Sequence, residues 1–184
     1  MSATTTATLP QTGTWSIDAS HSSVEFVVRH LMVSKTKGRF TAFTGEVHIE
    51  EDTLKSWVSA DVDLASVDTH DEGRDTHLRS GDFFDVEQHP KMSFRSTSLT
   101  AKSDDEYVLA GELGIKGVTR AVSFDLEFNG ASGDPWGGQR AGFTATAEIS
   151  RKDFGLEWNM ALETGGVVVG DKVKITLEVE IVKQ

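Results

Sequence analysis

Apolar and polar residues alternate with a period of two along most of this chain. Val122, Phe124, Leu126 and Phe128 interleave with Ser123, Asp125, Glu127 and Asn129, and Val173, Ile175, Leu177, Val179 and Ile181 interleave with Lys174, Thr176, Glu178 and Glu180. Side chains on a strand point to opposite faces in turn, so each run reads as a strand with one apolar and one hydrated face. The pattern predicts eight or nine strands, near residues 14–18, 23–30, 39–50, 58–64, 91–97, 107–115, 120–129, 142–150 and 172–182. Within 39–50, Phe40 is out of phase with Phe43, Val47 and Ile49, which predicts a bulge near Ala42. Turn-forming residues separate the runs at Glu51-Asp52, Ser103-Asp104-Asp105, Lys116-Gly117 and 134–138, and such short turns join antiparallel neighbours. So many one-faced strands in a small chain imply a sheet closed on itself, and a closed sheet has an inside.

Two stretches interrupt the alternation. Between 66 and 90, Thr69 and Glu72 have capping-box spacing, and 71–79 reads as two helical turns ended by Gly81. Between 152 and 170, a helical turn is expected near 158–163, stopped by Gly165-Gly166. Long irregular connections in a compact all-β chain commonly serve as lids or mouths.

At 184 residues the chain is expected to be one domain, residues 13–184, behind a disordered tail, residues 1–12, rich in Thr, Ala and Ser. Its net charge of −11 opposes binding to phosphate backbones and anionic lipid surfaces, so nucleic acid is not an expected partner. The absence of cysteine excludes disulfides, thiolate metal sites and a cysteine nucleophile. No run is apolar and long enough for a spanning helix, and no export signal is legible, so a soluble cytoplasmic protein without an integral membrane segment is expected.

Candidate chemistry is sparse. His70, Asp71, Asp75 and His77 form the one constellation resembling a metal or acid/base site, with Asp71 beside Asp75 and His70 two turns from His77 on a helix. The plain alternative is a solvated helix whose acids favour its N-terminal end. Nucleophile elbows, phosphate-cradling glycine loops and HExxH helices are all absent, so no catalytic residue, metal ligand or cofactor is assigned. His30 continues the phase of Val24, Phe26 and Val28, which puts an imidazole at the end of an apolar face. Arg29, Lys35, Lys37 and Arg39 cluster around the following turn, either as a solubilising rim or as the collar of a cavity for an anionic head group. The inward-phase residues either interdigitate as a solid core or line a cavity, since a barrel of eight strands is of a size to do either. Small residues at inward phases (Gly45, Ala60, Gly111, Ala145 and Ala147) leave space to be filled.

Longer strings are more specific. Trp15-Ser16-Ile17-Asp18 followed by His21 to Phe26, RHLMVSKTKGRF ending at Phe40, SVDTHDEGRDTHLRSGDFFD from Ser66, HPKMSFRS from His89, GIKGVTR from Gly114 and RKDFGLEWNMALETGGVVVGDKV from Arg151 together resemble the YceI-like family, in the family's order. Gly13-Thr14-Trp15 also echoes the Gly-x-Trp that opens lipocalins, where Trp15 would plug the barrel. The resemblance implies an all-β fold, an extended lipocalin-like antiparallel barrel of about eight strands with a short helix in the central connection. It further implies a binding protein, not an enzyme, that holds a polyisoprenoid or similar long-chain lipid such as a polyprenyl phosphate or isoprenoid quinone for transport or storage. On that basis Phe26, Val28, His30, Phe43, Val62, Phe94, Leu113, Phe124, Leu126 and Phe143 are expected to line the pore, with Phe154 and Trp158 helping to close it. Arg29, His30 and Arg39 are the expected polar end. The competing expectations are a metal-dependent protein built on His70, Asp71, Asp75 and His77, or a solid-cored interaction domain. Whether the chain forms a homodimer is open on sequence grounds.

Overall fold

A computed structural model describes residues 8–184, so residues 1–7 of the expected tail lie outside the described residues. The strands in chain order are β1 (Gly13–Ile17), β2 (Ser23–His30), β3 (Ser34–Phe40), β4 (Phe43–Ile49), β5 (Trp57–Asp63), β6 (Val67–Asp68), β7 (Lys91–Ala101), β8 (Glu106–Ile115), β9 (Val118–Gly133), β10 (Gln139–Ser150) and β11 (Val169–Lys183), with one helix, α1 (Glu72–Arg79), between β6 and β7.

Three pairs of these strands act as single bent staves. Strands β1 and β2 lie end to end along β11, with Trp15 opposite Lys183 and Glu25 opposite Thr176. Thr41 and Ala42 separate β3 from β4, and a single 3-10 turn, Leu64–Ser66, separates β5 from β6. The matching pairings, Phe40 with Val67 and Phe43 with Val62, continue along both halves. Each following strand pairs antiparallel with the next, and β11 returns to β1 and β2, closing an eight-stranded antiparallel barrel. At about 3.3 Å per residue, the 15 residues of β11 span roughly 50 Å, so the barrel is long and narrow.

The alternating residues take the faces their phase demands. Phe124, Phe128 and Ile181 are buried, while Asp125, Glu127 and Lys174 are exposed. The expected bulge near Ala42 is a full break, and a separate strand begins earlier, at Ser34. That strand escaped the pattern because its inward positions before Phe40 are Thr36 and Gly38, which give no apolar beat. Gly38 is small because the Phe26 ring lies over it: a Cβ there would sit 2.3 Å from Phe26 Cζ. The expected space at Gly111 and Gly45 is likewise occupied, by Phe94 and by Ile17.

No helical turn forms at 158–163. Instead Ala161 bridges Val167 in a small hairpin, closed by Leu162 N–H to Gly166 O (3.1 Å) and Val168 N–H to Met160 O (3.1 Å). Gly165 and Gly166, with φ of +88° and +89°, turn the chain there rather than stop a helix. Helix α1 is capped by Asp71, whose side chain accepts from Arg74 N–H at 2.9 Å, in place of the expected Thr69 and Glu72 box. None of the described helices is long and apolar enough to cross a membrane.

One end of the barrel is shut by a cluster of Trp15, Ile49, Tyr107, Phe128, Ala141 and Ile181. Trp15 is 1% exposed, and its indole N–H donates to Gln11 O at 3.0 Å. On the outer face of the same end, Arg140 reaches Asp18 (3.0 Å), Asp134 (3.1 Å) and Glu180. Asp18 is held well below the ordinary carboxylate range, first by the Ser20 hydroxyl and then by His21 and Arg140.

Candidate functional site

The barrel interior is hollow over much of its length. A narrow lobe of about 200 Å³ starts above the Trp15 cluster and is lined by aliphatic and aromatic side chains of β1, β4, β5 and β7 to β11. A wider lobe of about 430 Å³ continues toward the other end. Val24, Met92 and Ile175 line both lobes and form the waist between them. The phase of each strand produces this lining: Val173, Ile175, Leu177, Val179 and Ile181 follow one another along the pore wall from the wide lobe into the narrow one.

The expected pore residues divide between the lobes. Phe43, Val62, Phe94, Leu113, Phe124, Leu126 and Phe143 line the narrow one, and Phe26, Val28, His30 and Trp158 line the wide one. Phe154 lines neither. It lies at the end of the 3-10 turn Arg151–Phe154, 1% exposed and packed in the core with Phe83, Ile115 and Leu156, so it supports the wall behind them. Of the expected polar end, Arg29 and His30 border the wide lobe. Arg39 does not: it points to the outer face, where Asp68 holds it at 3.0 Å. Asp68 is drawn below its usual range by the His70 backbone N–H and by Arg39.

The mouth of the wide lobe is built by α1 and by 151–158. Gly73, Arg74, His77 and Leu78 from α1 face it, together with Arg151, Leu156 and Trp158. His77 packs edge-on to Trp158, with ring centroids 4.6 Å apart, and its Nε2 lies 2.8 Å from Asp82 Oδ2. Arg74 donates to Thr69 Oγ1 (2.7 Å) and Thr69 O (2.8 Å) and has no carboxylate partner among the described residues. Arg151 is 3% exposed, and its guanidinium donates to the carbonyls of Leu156 (2.6 Å), Trp158 (2.9 Å) and Gly170 (2.8 Å). Burial pulls its pKa down from the ordinary arginine value while Asp171 opposes the shift, and a guanidinium so placed stays charged.

Arg74 and Arg151 were not among the residues expected from sequence. Arg151 was legible in principle: it continues the inward phase of Ala145, Ala147 and Ile149, the same signal that located His30. Arg74 carried no such signal, since only the packing of α1 against the barrel decides which helix face meets the pore.

The four residues of the competing metal reading do not converge. Asp75 is buried and accepts from Thr69 N–H (2.9 Å) and Thr69 Oγ1 (2.6 Å), Asp71 caps α1, His77 faces the mouth and His70 is exposed. Asp18, His21 and Glu180 do gather at the closed end, but Arg140 lies between the two carboxylates as their counter-ion.

The family model for the YceI-like domain matches residues 15–181. A UPF0312 protein of Staphylococcus aureus is 42% identical over 172 residues, covering 90% of this chain and 95% of its own. The YCEI protein of Campylobacter jejuni is 25% identical with a TM-score of 0.72, over 85% of this chain and 90% of its own. Two more distant structures share the fold. Burkholderia cenocepacia BcnA has a TM-score of 0.77 at 22% identity, over 89% of this chain and 98% of its own. A polyisoprenoid binding domain from Saccharophagus degradans has a TM-score of 0.70 at 16% identity, over 92% and 98%. With its family match spanning nearly the whole barrel, this chain belongs to the YceI-like domain family.

Proposed function

We propose that this protein is a lipid-binding barrel, not an enzyme, which holds one long amphiphile of the polyisoprenoid class for transport or storage. The tail lies along the pore axis, and the polar group sits among His30, Arg74, His77 and Arg151. A phosphate or a quinone carbonyl suits that set of donors. The observation that carries the reading is the two-lobed apolar cavity. The wide lobe of about 430 Å³ presents mostly apolar surface, and water filling it supplies few of the packing contacts that a hydrocarbon chain would make there. A lipid tail recovers that packing, and each methylene it removes from water contributes about 0.8 kcal/mol. The net affinity is far smaller, because a flexible chain loses entropy and a bilayer competes for it. The polyisoprenoid binding domain of S. degradans, which shares the fold, supports the ligand class.

Native mass spectrometry of freshly purified protein, followed by solvent extraction, tests this reading. The expected result is a discrete adduct of isoprenoid mass. Protein that stays unliganded after incubation with prenyl phosphates and isoprenoid quinones would overturn it. Phe43→Asp, which puts a carboxylate into the narrow lobe, should abolish loading while Phe43→Leu retains it.

A further inference from the structure

Beside the mouth, the turn joining β2 to β3 combines three features that each work against the stability of the fold. Leu31 and Met32 both take left-handed backbone, with φ of 52° and 62°, in a hairpin turn closed by Val33 N–H to His30 O (3.2 Å). Glycine, asparagine and aspartate are the residues suited to that conformation, and Asn-Gly is the favoured pair for such turns. Leu31, Met32 and Val33 are also 38%, 49% and 86% exposed, an apolar tip held in water. Finally, Arg29 and Lys35 stand directly opposite each other across the pair β2–β3, with Lys37 next on the same outer face. Like charges in that relation repel, and none of the three forms an ion pair among the described residues.

The surroundings extend the same character. Leu31 N–H donates to Val168 O at 2.9 Å, which ties the turn to the 160–168 hairpin and its exposed Met160. Arg29, Lys35, Lys37 and Arg39 are followed through Phe40 with no acid among them, in a chain of net charge −11. Glu163, the single acid of the adjoining hairpin, opposes this charge without pairing to it. The same rim borders the wide lobe through Arg29, His30 and Val168.

We infer that this rim docks on an anionic lipid bilayer: Leu31, Met32 and Val33 enter the interfacial layer, and Arg29, Lys35 and Lys37 meet lipid phosphates. An exposed apolar tip ringed by cations matches that surface in both polarity and charge. The acidic remainder does not prevent it, because charges farther than about 8 Å from the membrane are screened at physiological salt. Repulsion of that remainder instead orients the molecule, so the mouth faces the bilayer where amphiphilic cargo resides. The route of loading rests on the lipid-binding reading above, whereas docking itself does not.

Flotation with vesicles of equal parts phosphatidylcholine and phosphatidylglycerol, against phosphatidylcholine alone, tests the inference on the full chain. Binding to the anionic vesicles alone, with release by added salt, is expected. Val33→Asp and Lys35→Glu/Lys37→Glu should each lower partitioning by roughly tenfold or more. Leu31→Asn/Met32→Gly relieves the strained turn, so it should raise Tm while losing vesicle binding, which no general loss of folding can imitate. A wild-type chain that ignores both vesicles overturns the inference and turns attention to a protein partner; wild-type binding that survives all three variants overturns it as well. Loading with an isoprenoid quinone delivered from detergent, read by native mass spectrometry, separates the two proposals. Intact loading without docking defeats only the docking surface, and docking without loading defeats only the pore ligand.

Discussion

At one end of the barrel, Trp15 is buried among Ile49, Tyr107, Phe128 and Ile181, and on the outer face there every charge of the Arg140 group has a partner of opposite sign. At the other end, Arg74 has no carboxylate partner among the described residues, Arg151 is held mainly by carbonyls with Asp171 3.7 Å away, and Leu31 and Met32 are strained and exposed. The same eight staves carry both ends, joined by strands such as β11 that run from Val169 at the mouth to Lys183 at the base. The contrast separates two uses of stability. The base spends its contacts on one fixed closure, whereas the mouth keeps donors and apolar surface available for something that is not part of the chain.

If the base alone carries closure, truncating its plug should have the largest effect on folding and only an indirect effect on the pore. Trp15→Ala should cost about 3–5 kcal/mol, a fall in Tm of roughly 10 °C by thermal melting. A mouth substitution of equal cost would break the contrast. Arg151→Leu is the test of that: it leaves the Leu156, Trp158 and Gly170 carbonyls without their donor, at about 1–3 kcal/mol for each one that water from the mouth does not reach. Its signature should be local, with faster hydrogen exchange in 156–170 and faster ligand release, while exchange around Trp15 is unchanged.

The waist marks where the two regimes meet. Met92→Trp should block the narrow lobe and leave the wide one open. Short isoprenoids should still load with near wild-type affinity, whereas long ones lose about 0.8 kcal/mol for each methylene kept out of the narrow lobe. A uniform loss across chain lengths would mean that the tail never passes Met92.

How far these ends were legible in the sequence follows from what period two can encode. It assigns a face to each residue on a long strand, so it points Phe124, Leu126 and Phe143 at the pore, and all three line the narrow lobe. It fails where the inward residue is not apolar, which hid β3 behind Thr36 and Gly38. It is silent off the strands: the phase of α1 against the barrel decides that Arg74 and His77 face the mouth, that Asp75 is buried and bonded to Thr69, and that the His and Asp cluster of the competing reading does not assemble. Arg39 shows a further limit. Read as part of one strand with Phe43, Val47 and Ile49 it falls on the inward phase, and only the break at Thr41 and Ala42 turns it to the outer face, where it pairs with Asp68.

The smallest expected effect concerns acid, and it discriminates the ends by sign. Asp18 and Asp134 at the base are both held below the ordinary carboxylate range: Asp18 by Ser20, His21 and Arg140, and Asp134 by the Gly138 N–H and then Arg140. A carboxylate lowered by folding adds stability that is complete above its unfolded pKa, near 3.9, and drains away as pH falls through the folded value. Asp18→Asn keeps the shape but removes that linkage. Wild type should therefore melt higher than Asp18→Asn at neutral pH, with the difference shrinking as pH drops below about 4. At the mouth, Asp82→Asn should show the opposite economy: it removes the negative charge 2.8 Å from His77 Nε2 while keeping a side-chain oxygen as acceptor, on a half-exposed rim where such a charge contributes about 0–1 kcal/mol. Its Tm should barely move at any pH. A base whose advantage over Asp18→Asn persists unchanged into strong acid would mean that Arg140 organises the end by shape alone, and the electrostatic half of the contrast would fall.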